Sequence, residues 1–98
     1  MPYTLIIKQG ARQDILDAFL YYEEQQAGLG EQFLAEVAAS NNRIVANPEY
    51  YGFIATKQHK GLRRLNMNTF PYIIIYEIEK DRIVVYAVHN THPKPRRL

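Results

Sequence analysis

Two adjacent arginines and two of the three histidines of this sequence are of types that suit phosphate binding or proton transfer. Arg63 and Arg64 lie in "GLRRLNMN", and His89 and His92 lie in the C-terminal "AVHNTHPKPRRL". A guanidinium holds phosphate oxygens through paired N–H donors, and an imidazole exchanges a proton near neutral pH. These four side chains are therefore the first candidates for a functional site.

Each candidate also has a simpler structural explanation. The two arginines would pair with Glu77 or Glu79 across a sheet. His89 would make a hydrogen bond at the end of a strand, and His92 would be a surface residue. A metal site would need further ligands, and no acidic cluster lies near the histidines in the sequence. We expect neither a metal nor a cofactor, and the residues alone leave the roles of the arginines and histidines open.

Positive charge is concentrated in the second half of the chain. Residues 1–56 carry three basic and seven acidic side chains, a net charge of −4, whereas residues 57–98 carry nine basic and three acidic ones, a net charge of +6. This asymmetry favours a basic surface that binds a polyanion or an acidic protein; chance clustering on a solvated surface is the alternative. The candidates for one basic face are Lys57, Lys60, Arg63, Arg64, Lys94, Arg96 and Arg97, with His89 and His92 beside them.

Length and composition indicate one small globular domain over residues 1–98. The chain is 47% hydrophobic, which is enough for a single core. It has no cysteine, so disulfide bonds and thiolate metal sites are excluded. The N-terminus "MPYTLIIKQG" does not have the pattern of a signal peptide, and no apolar stretch is long enough to span a membrane. We therefore expect a cytoplasmic protein.

The first half of the sequence predicts a strand followed by two helices. A β-rich run, "YTLIIKQG", spans residues 3–10 and ends at Gly10. Apolar residues then recur at helical spacing in "ARQDILDAFLYYEEQQ" and again in "EQFLAEVAASNNRIVANP", where Pro48 ends the second helix. The intervening "AGLG", with Gly28 as the expected C-cap, is short enough for an antiparallel helical hairpin.

The second half changes to the periodicity of strands. The runs "GLRRLNMN", "FPYIIIYEIE" and "RIVVYAVH" predict a three-stranded antiparallel meander, with "KD" as a tight turn and Pro71 at the start of the middle strand. The element order is β-α-α-β-β-β, an α+β fold. The helical pair is expected to cover one face of the sheet, and the N-terminal strand to join the sheet at an edge.

Alternation along the strands predicts which side chains face the helices. In "GLRRLNMN", Leu65 and Met67 should face the helices and Arg64 the open side. Arg63 shares the parity of the buried residues, so it needs a buried partner or a bulge. Both parities of the last strand are apolar, so the sequence leaves the face of His89 open.

The C-terminal tail is expected to leave the sheet. Pro93 and Pro95 restrict the backbone and remove two hydrogen-bond donors, so residues 91–98 should not extend the last strand. We expect His89 to close that strand and the remainder to lie extended along the basic face. Because no carboxylate that could partner the histidines lies nearby in sequence, the tail is expected to contribute binding charge rather than catalysis.

Three segments together carry a family resemblance. They are the glycine-punctuated hairpin "GLGEQFLAEV", the "NP" that stops the second helix, and the block "RRLNMNTFPYIIIY" with its continuation "IVVYAVHNTH". From Tyr3 to about His92, the sequence resembles the RelE/ParE superfamily of bacterial type II toxins. The resemblance implies a small antiparallel sheet packed against an N-terminal helical hairpin. It also implies an antitoxin, usually encoded beside the toxin, that wraps and neutralises it.

Two activities occur in this superfamily. RelE-like members cleave messenger RNA within the ribosome, whereas ParE-like members poison DNA gyrase without a reaction of their own. The glycine-containing hairpin and "FPYIIIY" look more like the ParE-like branch. By resemblance, Arg63 matches the family's basic position on the second strand, and His89 matches the histidine common at the end of the last strand. His92 stands where many ParE-like sequences have arginine, and "PKPRR" replaces the frequent aromatic ending.

The resemblance thus implies a toxin of the plasmid-stabilisation type that stops growth by binding a target such as DNA gyrase, with no reaction of its own. Its expected partner is an acidic, helical antitoxin. We expect this partner to bind across the basic second half of the chain and the helical hairpin, because 98 residues can bury an apolar hairpin only partly. One alternative is a ribosome-dependent messenger-RNA endonuclease, in which His89 or His92 is the acid–base residue and Arg63 or Arg64 holds the phosphate. A second is an inactive homologue that only binds antitoxin. A homodimer and a hetero-oligomer with antitoxin both stay open.

Overall fold

A computed structural model describes residues 3–54 and 60–92 of the chain. In chain order the elements are strand β1 (Thr4–Ile7), helices α1 (Gln9–Gln25) and α2 (Leu29–Ala46), and strands β2 (Leu62–Asn66), β3 (Tyr72–Glu79) and β4 (Arg82–Asn90). This order confirms the predicted α+β arrangement. In the described part of the chain, no helix is long and apolar enough to cross a membrane.

The four strands form one sheet in the order β1-β4-β3-β2. Strands β2, β3 and β4 pair antiparallel as the predicted meander, and β1 lies at an edge as expected. However, β1 runs parallel to β4, with Thr4 opposite Arg82 and Ile7 opposite Val85. The sheet is therefore mixed, and the purely antiparallel sheet implied by the resemblance is wrong. Parallel neighbours need a long connection, and here it contains both helices and two strands.

The helical hairpin packs on one face of this sheet. The largest side chains with less than 2% of their surface exposed come from α2 and from three strands: Phe33, Ile44, Leu65, Ile74, Tyr76, Ile83 and Val85, with Ser40 among them. Leu65 and Met67 are both buried, as their parity predicted. The two prolines also lie where they were expected: α2 ends at Ala46 before Pro48, and β3 begins directly after Pro71.

Two glycines have roles other than those predicted. Gly28 does not cap α1, whose C-cap is Gln26; it is the N-cap of α2 and has a left-handed backbone, with φ of 90°. The carboxylate of Glu23 accepts the N–H groups of Gly28 and Gly30, each at 3.0 Å, and so satisfies donors that the start of a helix leaves free. Gly10 lies in the first turn of α1 rather than at the end of β1.

Candidate functional site

Arg63 is held within the protein rather than presented to a ligand. It lies opposite the buried Tyr76 on the side of the sheet that faces the helices. Its Nη1 donates hydrogen bonds to the carbonyl oxygens of Glu49 at 3.1 Å and Tyr51 at 2.7 Å. Its guanidinium carbon lies 3.9 Å from the centre of the Phe53 ring. The partners of Arg63 are therefore two backbone carbonyls and an aromatic ring at the edge of the sheet, rather than a buried side chain.

Tyr76 secures the same segment from the next strand. Its hydroxyl donates to the carbonyl of Pro48 at 2.6 Å. Burial raises the pKa of Tyr76 to about 12, although the nearby charge of Arg63 acts in the opposite direction. The phenol therefore stays protonated and able to donate at neutral pH. Together, Arg63 and Tyr76 fix residues 48–51, which follow the end of α2.

The fixed segment lines an open depression at the edge of the sheet, which we call the β2 depression. Its volume is about 520 Å³, and its lining residues are Tyr50, Tyr51, Gly52, Phe53, Arg64 and Asn66. Tyr50 is 79% exposed and Phe53 is 60% exposed. Arg64 is also exposed and points away from the helices, as its parity predicted. No ion pair joins Arg64 to another residue in the described ranges.

A β-bulge decides the position of His89. Ile75 pairs with Ala87, but Tyr76 pairs with Val85, so Tyr86 is an extra residue in β4. Because of this insertion, Val85 and Val88 are both buried in the core although their numbers differ in parity. His89 is exposed and pairs with Ile73, on the face opposite the helices. It therefore shares a face with Arg64 and lies opposite to Arg63.

His92 lies at the loop end of the sheet. Its Nδ1 is 3.2 Å from the hydroxyl of Thr91, and its backbone N–H donates to the side-chain oxygen of Asn90 at 2.8 Å. It contributes to a second open depression, of about 320 Å³, in which Asn66, Asn68 and Thr91 also take part. Asn66 therefore lines both depressions and links them along the edge of β2.

The open face also carries acidic groups. The hydroxyl of Tyr86 donates to Glu77 at 3.0 Å and approaches Glu79 at 3.5 Å, and Glu79 forms an exposed ion pair with Arg82 at 2.8 Å. Burial, together with the two carboxylates, raises the pKa of Tyr86 to about 12. Glu77 and Glu79 are thus engaged with Tyr86 and Arg82 rather than with Arg63 or Arg64.

The structure gathers only some of the residues predicted for the site. Arg64 and His89 share the outer face, but β3 lies between their strands, and their partners Ile75 and Ile73 are two residues apart. Two strand spacings and this offset put their backbones about 12 Å apart. Lys60 is exposed before β2, and Arg63 lies on the other face. The predictions for Lys57, Lys94, Arg96 and Arg97 lie outside the described residues, as does the predicted course of the tail beyond His92.

An apolar groove lies on the helical hairpin, the part of the chain that was expected to be only partly buried. It has a volume of about 360 Å³ and is lined by Ile7, Arg12, Ile15, Leu16, Phe19 and Leu34. Leu16 and Leu20 are 48% and 55% exposed, and Leu34 is 36% exposed. Leu16 and Leu20 thus lie on the exposed side of α1, whereas Ala18 of the same helix is buried.

Two acidic side chains join the helices to the strands. Glu36 of α2 accepts the N–H groups of Thr69, at 2.7 Å, and Phe70, at 3.4 Å. Asp14 of α1 accepts the N–H of Val88 at 2.9 Å. Among the described residues, no group of three or more histidine, cysteine or acidic side chains is placed to hold a metal ion.

Comparison with known proteins gives the family. A model of the ParE toxin of the type II toxin–antitoxin system parDE matches residues 5–92. A structure of the chromosomal ParDE toxin–antitoxin system from Pseudomonas aeruginosa superposes with a TM-score of 0.70 at 16% identity, covering 92% of this chain and 97% of that one. The RelBE2 toxin–antitoxin complex from Mycobacterium tuberculosis superposes with a TM-score of 0.61 at 17% identity, covering 92% of this chain and 99% of that one. No curated protein matches the sequence.

The family match covers most of the chain, and the fold agrees with both solved structures. The chain therefore belongs to the ParE toxin family within the RelE/ParE superfamily. It is a toxin of the type II toxin–antitoxin class.

Proposed function

We propose that this toxin stops bacterial growth by binding a target, with DNA gyrase as the first candidate, and that a cognate antitoxin neutralises it. Membership of the ParE family supports this assignment. The observation that carries it is the engagement of Arg63, the basic residue that the resemblance places in the functional position.

Cleavage of RNA by its 2′-hydroxyl requires a base, a cation and an acid around one phosphate. Here the guanidinium of Arg63 is committed to Glu49 and Tyr51 on the helix-facing side. His89 lies on the opposite face. Tyr86, a phenol on that face, has its pKa raised to about 12 by burial and by Glu77 and Glu79. Arg64 shares the face of His89, but β3 lies between their strands, so these two side chains do not meet around one phosphate. The separation of His89 from both arginines favours action by binding over ribonuclease chemistry.

The apolar groove on the hairpin supports an antitoxin that supplies an amphipathic helix. Leu16 and Leu34 line the groove, and Leu20 is exposed one turn after Leu16 on α1. These leucines offer apolar surface to the apolar face of a bound helix. Each leucine buried on binding contributes about 1.5–3 kcal/mol of favourable transfer free energy. The basic second half of the chain would attract an acidic partner.

Induced expression in a bacterial host, followed by measurement of plasmid supercoiling and of messenger-RNA integrity, tests the mode of action. We expect growth arrest and disturbed supercoiling with intact messenger RNA, and we expect His89→Ala to retain the toxicity. Cleaved messenger RNA that depends on His89 would establish the ribonuclease instead. Normal growth at high soluble expression would identify an inactive homologue.

The antitoxin surface has a separate test. Leu16→Ser and Leu20→Ser together should leave the toxin folded but lower its affinity for the protein encoded by the neighbouring gene. Isothermal titration calorimetry with the purified pair measures this change. Tyr50→Ser, which removes an exposed apolar side chain outside the groove, is the matched control. Equal losses in both variants would place the antitoxin elsewhere.

A further inference from the structure

We propose that the β2 depression binds single-stranded nucleic acid, with a base stacked on its exposed aromatic rings and an adjacent phosphate held by Arg64. This activity goes beyond target inhibition and antitoxin binding, and it uses a surface separate from the apolar groove of the hairpin. The inference rests on three features of the depression. Its aromatic rings are exposed, its polar side chains are available to a ligand, and the strand edge beside it is already hydrogen-bonded to residues 52–54.

The aromatic rings are rigid and open. One face of the Phe53 ring lies against the guanidinium of Arg63 at 3.9 Å, and Arg63 is in turn fixed by two carbonyl groups. The ring is nevertheless 60% exposed, so contact with a ligand is available without rearrangement of the segment. Tyr50 stands edge-on to Tyr51, with ring centres 5.0 Å apart. Such preformed rings are suited to stacking with bases, which requires no particular sequence.

The polar groups beside the rings match the remaining parts of a nucleotide. Arg64 is exposed and has no ion pair within the described ranges, so its guanidinium is available to phosphate oxygens. Asn66 supplies an amide, which can both donate to and accept from the edge of a base. The volume of about 520 Å³ is within the range of about 300–1,000 Å³ usual for small-ligand sites.

A strand-adding acidic peptide is a poorer match to this surface. The segment 52–54 already occupies the outer edge of β2. The backbone N–H of Ile54 donates to the carbonyl oxygen of Leu62 at 2.8 Å, and the backbone N–H of Arg64 donates to the carbonyl oxygen of Gly52 at 3.1 Å. An added peptide strand would have to displace these bonds. A nucleic acid strand needs no free backbone edge, and it can continue past Asn66 into the second depression, which has Asn68 and His92 in its lining.

Fluorescence anisotropy with short labelled oligothymidylate, oligouridylate and a DNA duplex of equal length tests the proposal on the full chain. We expect a single strand to bind more tightly than the duplex, because the faces of paired bases are hidden. Comparison of the first two probes identifies DNA or RNA as the better ligand. Tighter binding of the duplex would overturn the proposal, since attraction by charge alone favours the higher charge density.

Two variants separate stacking from charge. Tyr50→Leu should weaken single-strand binding about tenfold, in keeping with the loss of one stacked base, whereas Leu20→Ala, which trims an exposed apolar residue outside the depression, should not. Arg64→Gln should weaken binding and reduce the dependence of log affinity on log salt by about 0.7, the value of one phosphate contact. Lys80→Gln removes the same charge at the distant β3–β4 turn and should preserve both affinity and slope.

Circular dichroism establishes that each variant is folded. Because Tyr50 is mostly solvent-exposed, its replacement should leave the fold intact, and a change in binding can then be assigned to the lost ring. Equal effects of Arg64→Gln and Lys80→Gln would overturn the site. Binding of an acidic peptide that needs Arg64 but not Tyr50, without single-strand binding, would also overturn it. These measurements do not use growth as a readout, so they are independent of whether gyrase is the target.

Discussion

Arg63 and Arg64 are adjacent in sequence, yet the alternation of a strand gives them opposite roles. Arg63 binds backbone carbonyls on the helix-facing side and holds the segment from Glu49 to Phe53. Arg64 projects from the other face into the β2 depression. Arg63 is therefore a positioning residue for the surface that Arg64 and the exposed rings form.

The first prediction compares these two arginines. Arg63→Gln removes two charge-assisted hydrogen bonds and a cation–π contact, so it should lower the free energy of unfolding by about 1–3 kcal/mol. Arg64→Gln should change it by less than about 0.5 kcal/mol, as for a surface substitution. Urea denaturation followed by circular dichroism measures both. Equal stability of the two variants would contradict the assigned role of Arg63.

Glu36 provides a prediction about pH. Burial alone would raise the pKa of Glu36, but hydrogen bonds from the backbone and side chain of Thr69 and from the backbone of Phe70 and Asn68 outweigh it, and the pKa lies below its usual value of 4.5. The ionised Glu36 carboxylate therefore stabilises the folded protein fully above the unfolded-state pKa of this group. That stabilisation is lost as the pH falls through the lower folded-state pKa.

Glu36→Gln should accordingly cost about 1 kcal/mol at neutral pH, and the difference from wild type should shrink as the pH falls below 4.5. Chemical denaturation over a series of pH values checks this. Glu31→Gln removes the same charge from an exposed site in the first turn of the same helix, so it is the control and should lower the stability less at neutral pH. A Glu36 effect that persists unchanged into strong acid would argue against the carboxylate as its source.

At the scale of elements, the helical hairpin depends on a close approach at Gly30. A Cβ atom there would lie 2.8 Å from the ring and from the carbonyl oxygen of Phe19, and 2.9 Å from Glu23. The carbonyl belongs to the backbone of α1, so it cannot move without shifting the helix. The same Glu23 accepts the N–H of Gly30 and fixes the start of α2.

Gly30→Ala should therefore destabilise the protein by about 1–2 kcal/mol, because overpacking outweighs the better helix propensity of alanine. Gly52→Ala is the matched substitution, since nothing lies within 4 Å of its Cβ position. Differential scanning calorimetry should show a lower Tm for the first variant and little change for the second. A stabilised Gly30→Ala protein would mean that the helices can separate freely.

The bulge in β4 is a second feature at this scale. Strand β1 ends at Ile7 opposite Val85, so it does not cover the later part of β4. Beyond that point, helix α1 supplies the hydrogen-bond partner: the carboxylate of Asp14 accepts the backbone N–H of Val88. The same bulge turns His89 outward. The edge of the sheet and the position of a candidate site residue are thus set by one irregularity.

At the scale of the whole molecule, the chain presents two chemically different surfaces. The hairpin carries the apolar groove, whereas the edge of β2 carries exposed aromatic, amide and guanidinium groups. Most of the positive charge lies in residues 57–98. A toxin built this way can present different surfaces to an antitoxin and to a polyanion.

The prediction at this scale concerns the tail. Deletion of residues 94–98 removes Lys94, Arg96 and Arg97, so it should weaken growth inhibition and make antitoxin affinity less sensitive to salt. His92→Ala should leave most of the toxicity. Growth curves and titrations at rising ionic strength provide the measurements. Loss of toxicity in a folded His92→Ala protein, with cleaved messenger RNA, would make the tail catalytic instead.

The sequence by itself determined the order of the elements and the main core positions. Local patterns carried this information: helical spacing before Pro48, the run "YIIIY" after Pro71, and the alternation that buries Leu65 and Met67. These signals are local, because periodicity and proline act within a few residues of the chain. The family resemblance came from the same segments and was confirmed by the match over residues 5–92.

Only the tertiary structure decided the sites. The partners of Arg63 come from the distant segment around Glu49, Tyr51 and Phe53. The bulge that turns His89 outward reverses the parity of an apolar strand. The exposure of Leu16 depends on how much of α1 the sheet and α2 cover. Each of these depends on contacts between residues far apart in the chain, and a local pattern of side-chain types does not specify such contacts.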